Sequence, residues 1–313
     1  MVKKIIITVF SLLLLVYLVF FEDFFNLNFN DKQLETLIYL FKVYVVASLL
    51  AFVVSEIFQN YSQVDKLWST IPIYYVWYFT AESGYDPRMI LMSIVATIWG
   101  LRLSYNFGRR GGYSIYFWVG EEDYRWKELK RIAPFLRPRL NWAVFNLFFI
   151  CLYQMGLVFL ITLPILAAWQ GTNDISTYDY LIALLMVSFI IIETLSDQQQ
   201  YNFQTEKYKK IDLGKNLSGD YKRGFVSTGL WSISRHPNFT SEQLIWIVFY
   251  LFSISATGNV FNWSIIGCVL LVILFYNSAK FSEGISSAKY ADYKIYQKNV
   301  PMFLGFWNSN WKK

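Results

Sequence analysis

Apolar stretches of membrane-spanning length recur along this chain, and they leave few folds open to it. They lie near residues 5–21, 38–59, 67–81, 88–107, 142–168, 178–200, 242–257 and 261–279. A helix rises 1.5 Å per residue, so about 20 apolar residues cross the ~30 Å hydrocarbon core of a bilayer. Backbone N–H and C=O groups find no water there, so such a run must be helical. A barrel would instead show shorter segments alternating apolar and polar residues. Charged residues are 16% of the chain and hydrophobic ones 55%, against about 25% charge in soluble domains, so much of the surface must face lipid. The sequence therefore predicts an all-α polytopic transmembrane helix bundle of eight spans. It reads as a single domain over 1–313, with two N-terminal spans in 1–59 ahead of the main body at 60–305. Lys3, Lys4 and the apolar run after them resemble a secretory signal. Glu22-Asp23-Phe24 stand where a small-residue cleavage site belongs, however, so the first helix is read as retained.

Charge sets the orientation. Of the 28 Lys and Arg, 24 fall in segments that eight spans place on the N-terminal side, including eight in 108–141, seven in 201–241 and six in 280–313. An excess of Lys and Arg in short loops marks the cytoplasmic side, so both termini are expected there. The net charge of +6 is then a topology signal, and anionic membrane lipids are its natural counter-charge. Basic residues divided among loops between apolar spans do not form a nucleic-acid surface, and no nucleic-acid partner is expected. Cys151 and Cys268 fall inside spans and read as core thiols without a disulfide framework.

Three polar clusters stand at the span ends. The first is Ser62-Gln63-Val64-Asp65-Lys66-Leu67-Trp68. Asp65 at the membrane boundary reads either as a helix N-terminal carboxylate or as an acid whose desolvation lets it donate a proton or hydrogen bond. The second holds Glu193 and Asp197, four apart on one helix face, where ionisable groups near a span usually line a cavity. The third runs Gly229-Leu-Trp-Ser-Ile-Ser-Arg-His-Pro-Asn-Phe-Thr-Ser-Glu242. Pro237 keeps His236 out of helical geometry, so a turn should lead into a helix beginning near Asn238. That helix N-terminus offers N–H groups to an anion, and Arg235 offers a planar fork for phosphate. His236 is the only histidine, which excludes a multi-histidine metal site.

The Ser-Arg-His-Pro-Asn-Phe…Glu stretch, the Gly-Leu-Trp before it and Asp197 upstream resemble the steroid 5-alpha reductase superfamily, in its bacterial-type branch. The segments Trp99-Gly-Leu-Arg102-Leu and Glu121-Glu-Asp-Tyr-Arg125-Trp fit that branch, and the resemblance covers roughly 60–305. It implies an NADPH-dependent reductase of a carbon–carbon double bond conjugated to a ketone in a lipid or steroid-like substrate, with its cofactor face cytoplasmic. Position by position, Asn238, Glu242 and Asp197 match the family's cofactor contacts. Glu193 falls where those enzymes have Asn, Lys222-Arg223 where they have a Tyr-Arg pair, and Asp65 where they have the Glu that binds the substrate carbonyl. Arg109, Arg110, Lys222, Arg223, Arg235 and His236 complete the expected cofactor-binding set, with Asp65 as the catalytic acid. Two departures follow. The family's second carbonyl-binding residue, a Tyr, is replaced by Trp99, and its late-chain His and Tyr are missing near Phe281–Ser286, where Glu283, Tyr290 and Tyr293 are the nearby polar groups. The rival readings are an S-adenosylmethionine-dependent lipid or prenyl-group methyltransferase, which shares the Arg-His-Pro turn, and a non-catalytic lipid- or sterol-binding membrane protein.

Overall fold

A computed structural model of the protein describes residues 27–304. The chain is about 75% helical, with no strand among the described residues. In order the helices are α1 (Asp31–Phe58), α2 (Gln63–Trp68), α3 (Ile71–Glu82), α4 (Pro87–Gly108), α5 (Tyr124–Ile132), α6 (Arg139–Gln170), α7 (Thr177–Asp212), α8 (Gly219–Arg223), α9 (Pro237–Thr257), α10 (Ile265–Lys289) and α11 (Tyr293–Asn299). Among the described residues, α1, α4, α6, α7, α9 and α10 are long and apolar enough to cross a membrane. The all-α polytopic bundle read from the sequence is the architecture observed. The expected span at 5–21 lies outside the described residues. The one at 67–81 corresponds to α3, whose 12 residues rise about 18 Å, short of the hydrocarbon core. The break before it falls at Ser69–Thr70, just ahead of Pro72, which is tolerated only in a first helical turn.

Local chemistry fixes the ends. Asn30 and Gln33 form a reciprocal capping box at the start of α1, with each side chain accepting from the other's backbone N–H at 2.9 and 3.1 Å. Asp86 accepts from the N–H groups of Arg88 and Met89 at 2.9 and 3.1 Å, with Pro87 in the first helical position, where its missing donor costs nothing.

The described residues form two compact units: those up to Ala183 with Val248–Val269, and Leu184–Ile247 with those from Leu270 on. In the first, Trp99, Tyr75, Phe79, Met92 and Met155 are wholly buried, and the Tyr75 ring meets Phe159 edge to face at 5.2 Å. Close approach of helices depends on small residues. A Cβ on Gly100 of α4 would stand 2.5 Å from the Ser69 carbonyl oxygen, and one on Gly267 of α10 would stand 2.5 Å from that of Leu160. A π-helical stretch, Asn146–Tyr153, interrupts α6 and turns the buried Asn146 toward α1, where its amide donates to Ser55 Oγ at 2.9 Å and Glu56 Oε1 at 2.8 Å. Buried Arg88 ties the start of α4 to the α6–α7 loop and the start of α7: it donates to Asp179 at 2.8 Å and to the carbonyls of Asn173 and Asp174 at 2.8 and 2.7 Å.

The second unit has its own apolar clusters. Phe203, Val226 and Trp231 pack with Tyr221, while Phe225, Tyr293, Tyr296 and Val300 pack with Tyr290. The first joins α7 to α8 and the 229–232 turn; the second docks α11.

Candidate functional site

The second unit gathers two of the three polar clusters. Residues Gly229–Ser232 make one 3-10 turn, and Ser234-Arg235-His236 then lead into α9 with Pro237 as its first residue. Trp231 anchors the turn on α7, its indole N–H donating to the Ser196 carbonyl at 3.2 Å, and Gln199 Oε1 accepts from Leu230 N–H at 3.0 Å. Between those two anchors on α7, Asp197 Oδ1 accepts from Asn238 Nδ2 at 3.1 Å. Glu193, Asp197 and Glu242 are each about 4% exposed, and Glu242 Oε1 accepts from the Trp246 indole at 3.1 Å. Three buried carboxylates and a carboxamide thus belong to the same short stretches of α7 and α9.

Arg235 and His236 have a different setting. The Arg235 guanidinium makes a two-point contact with Glu283 of α10, at 2.6 and 3.2 Å, and donates to the carbonyls of Gln297, at 2.9 Å, and Val300. His236 Nε2 lies 3.0 Å from Glu283 Oε1, and Gln297 Nε2 donates to Glu283 Oε2 at 2.8 Å. The backbone joins in: Arg235 N–H donates to the Pro301 carbonyl at 2.9 Å and His236 N–H to that of Met302 at 3.2 Å. The Tyr296 hydroxyl closes the ring on the Trp231 carbonyl. The planar fork that the sequence offers to a phosphate is therefore taken up within the protein. Glu283 is the hub of this network; the sequence marked it only as a polar group near the place of the missing late-chain His and Tyr, and as a carboxylate near the end of a largely apolar helix.

The remaining cations divide. Arg223 at the end of α8 donates to Asp220 at 3.1 Å, and that carboxylate also holds the Ser227 N–H and hydroxyl at 2.7 and 2.6 Å. Lys222 beside it is exposed. Arg109 and Arg110 belong to the first unit, where both guanidinium groups reach the Asn106 amide oxygen, that of Arg109 at 2.6 Å.

Asp65 also belongs to the first unit. It is half-buried on α2, and its environment is built by the segment 117–130. Ser62 Oγ accepts from Asp123 N–H at 2.9 Å, Tyr61 N–H donates to Glu122 at 2.9 Å, and Lys66 donates to the Phe117 and Val119 carbonyls at 2.7 and 2.9 Å. Arg125 is spent on Asp123, at 2.7 Å from its Nε. Burial, and then the negative charge of Asp123, push the Asp65 carboxyl up from 3.8 to about 6, against the opposing pull of Ser62, Arg125 and Lys66. Desolvation and a like charge both disfavour the ionised form, so a sizeable fraction of Asp65 is a hydrogen-bond donor just below neutral pH. Trp99, at the position of the expected Tyr, is wholly buried in α4.

A family model described as "Protein of unknown function (DUF1295)" matches residues 51–300. The chain is 32% identical over 299 residues to the uncharacterized protein C594.04c of Schizosaccharomyces pombe, covering 89% of this chain and 83% of that one. It is 28% identical over 134 residues to a probable 7-dehydrocholesterol reductase of Acanthamoeba polyphaga mimivirus, which covers 41% of this chain and 29% of the viral protein. No solved structure matches.

Proposed function

Because the chain belongs to the family described as DUF1295, whose members carry no assigned reaction in that description, we propose its function from the site itself: a membrane oxidoreductase that uses NADPH to reduce a carbon–carbon double bond conjugated to a ketone in a lipid or steroid-like substrate. The observation that carries this reading is the set of buried acceptors Glu193, Asp197 and Glu242 beside Asn238 in one unit. Carboxylates accept and a carboxamide both donates and accepts, the groups that ribose hydroxyls and a nicotinamide carboxamide hydrogen-bond. The donor chemistry of the site thus fits the cofactor. A relative named as a probable sterol reductase supports the same reaction class.

In this reading Asp197, Asn238, Glu242 and Glu193 hold the nucleoside groups, and Lys222 and Arg223 offer charge to the phosphates. Arg235 and His236 act through Glu283: they hold the turn that presents Asn238, rather than offering their own donors. When bound, NADPH supplies a hydride to the β-carbon of the enone. Asp65 in its protonated form donates a hydrogen bond to the substrate carbonyl oxygen as negative charge develops there, and the α-carbon finally takes a proton from water. The indole at Trp99 cannot protonate an enolate, so Asp65 acts without the family's second hydroxyl.

The test is a titration of the full chain in lipid nanodiscs with NADPH and, separately, with S-adenosylmethionine. Saturable NADPH binding with no response to S-adenosylmethionine is the expected result. The reverse pattern makes the protein a methyltransferase, and silence to both makes it a lipid-binding protein.

A further inference from the structure

Residues 111–120 form a loop whose neck is built and whose tip is bare. Glu121 N–H donates to the Gly111 carbonyl at 3.1 Å, and Gly120 approaches Gly112 so closely that a Cβ would lie 2.5 Å from its carbonyl oxygen. Asn60 donates to the Gly120 carbonyl at 2.9 Å, Lys66 takes those of Phe117 and Val119, and Trp118 stacks on Phe58 at 5.1 Å. With its backbone tied down, the loop holds Ile115 fully exposed and Tyr116 and Phe117 each 62% exposed, outside every helix long enough to span a membrane. Rigidly presented apolar side chains of this size need a cover.

The flanking charge says what kind. The segment 108–141 holds eight Lys and Arg against four Asp and Glu, and three of the acids are already engaged: Glu122 with Tyr61 N–H, Asp123 with Arg125, Glu128 with Arg131. Lys127, Arg137 and Arg139 are exposed. Arg137 donates to the carbonyls of Lys130 and Arg131 at 3.1 Å, which leaves its charge unneutralised. Exposed aromatic and aliphatic side chains with exposed cations in the same chain segment match the boundary between anionic headgroups and acyl chains.

We propose that the 111–120 loop is a lipid-interface anchor. Ile115, Tyr116 and Phe117 insert at the acyl–headgroup boundary of a membrane rich in anionic lipid, and Lys127, Arg137 and Arg139 hold lipid phosphates. The site reads lipid composition independently of any reaction at Asp65 or Asn238.

The test uses the full chain in nanodiscs, with Ile115→Cys carrying a polarity-sensitive dye; Cys151 and Cys268 are both buried. Expected are blue-shifted emission, quenching by lipids spin-labelled near the headgroup, and deeper shielding from acrylamide when phosphatidylglycerol replaces part of the phosphatidylcholine. That gain should vanish in 1 M salt, where charges are screened beyond about 3 Å, and in a folded Lys127→Gln/Arg137→Gln/Arg139→Gln variant. Water-like emission with full acrylamide access in both lipids overturns the proposal. Shielding without spin-label quenching that grows with copies per disc points to a protein partner and also overturns it. A gain from phosphatidylglycerol that survives the triple substitution removes the role given to the cations.

Discussion

At the scale of single residues, Asp65 gives the most direct handle, because its altered acidity links the proposed chemistry to stability. The folded-state value of about 6 stands above the ordinary 3.8, so the folded protein holds a proton that the unfolded chain releases. The stability from that proton is full below pH 3.8 and is lost as pH rises through 6, at most about 3 kcal/mol in all. Asp65→Asn should therefore melt higher than the parent at pH 8, with the gap shrinking toward zero near pH 3.5; a constant gap across that range would refute the assignment. In turnover of an enone lipid, Asp65→Asn should also lose the decline above pH 6 while keeping some rate, and Asp65→Leu should lose nearly all of it. Asn238→Ala and Glu242→Ala act on the other ligand. Each removes a hydrogen-bonding group worth roughly 0.5–3 kcal/mol, the upper end for the charged one, so NADPH affinity should fall by about two- to a hundredfold in calorimetric titration of variants that melt normally.

At the scale of elements, the turn before α9 and the α11 segment behave as one piece held through Glu283. Removing one partner of a buried charge pair strands the other and costs about 3–5 kcal/mol, whereas replacing both with well-packed apolar groups is often neutral. Glu283→Ala should therefore lower the melting temperature of the purified protein sharply, and Glu283→Leu/Arg235→Met should regain most of the loss. If the double variant melts as low as the single one, the pair is not the unit that holds the turn. This is also where the sequence was least readable. The long helices announce themselves because hydropathy is local, and Asn30 and Asp86 mark their own helix starts. The separation of α2 from α3 hides inside an apolar window, where only Pro72 hints at it. Asp197 and Asn238 could be put together through their motif. The acceptor for Arg235, however, lies 48 residues away on an apolar helix, and nothing in the local pattern distinguishes a guanidinium that meets a ligand from one that meets Glu283. Asp123, which helps set the acidity of Asp65, is likewise a tertiary neighbour 58 positions down the chain.

At the scale of the whole molecule, the charge asymmetry makes a claim about sidedness. With 24 of 28 basic residues in alternate segments, a reporter fused at Lys313 should be cytoplasmic and one placed in the 171–176 loop should lie across the membrane. Finding both reporters on one side would rule out eight spans. The same expectation puts the 108–141 segment and the Lys222-Arg223 pair on the cytoplasmic side.

The carbonyls of Gln297, Val300, Pro301 and Met302 that fasten the Arg235–His236 turn follow every other part of the site in chain order. Synthesis runs from the N-terminus, so these clasping residues are the last part of the site to be made. Until they dock, Glu283 and Arg235 face each other without their outer partners, and Asn238 is held only by Asp197 and by the bonds of its turn to α7. A released chain truncated before α11 should thus still insert yet retain nucleotide poorly, so that competence arrives as a late event rather than with membrane insertion.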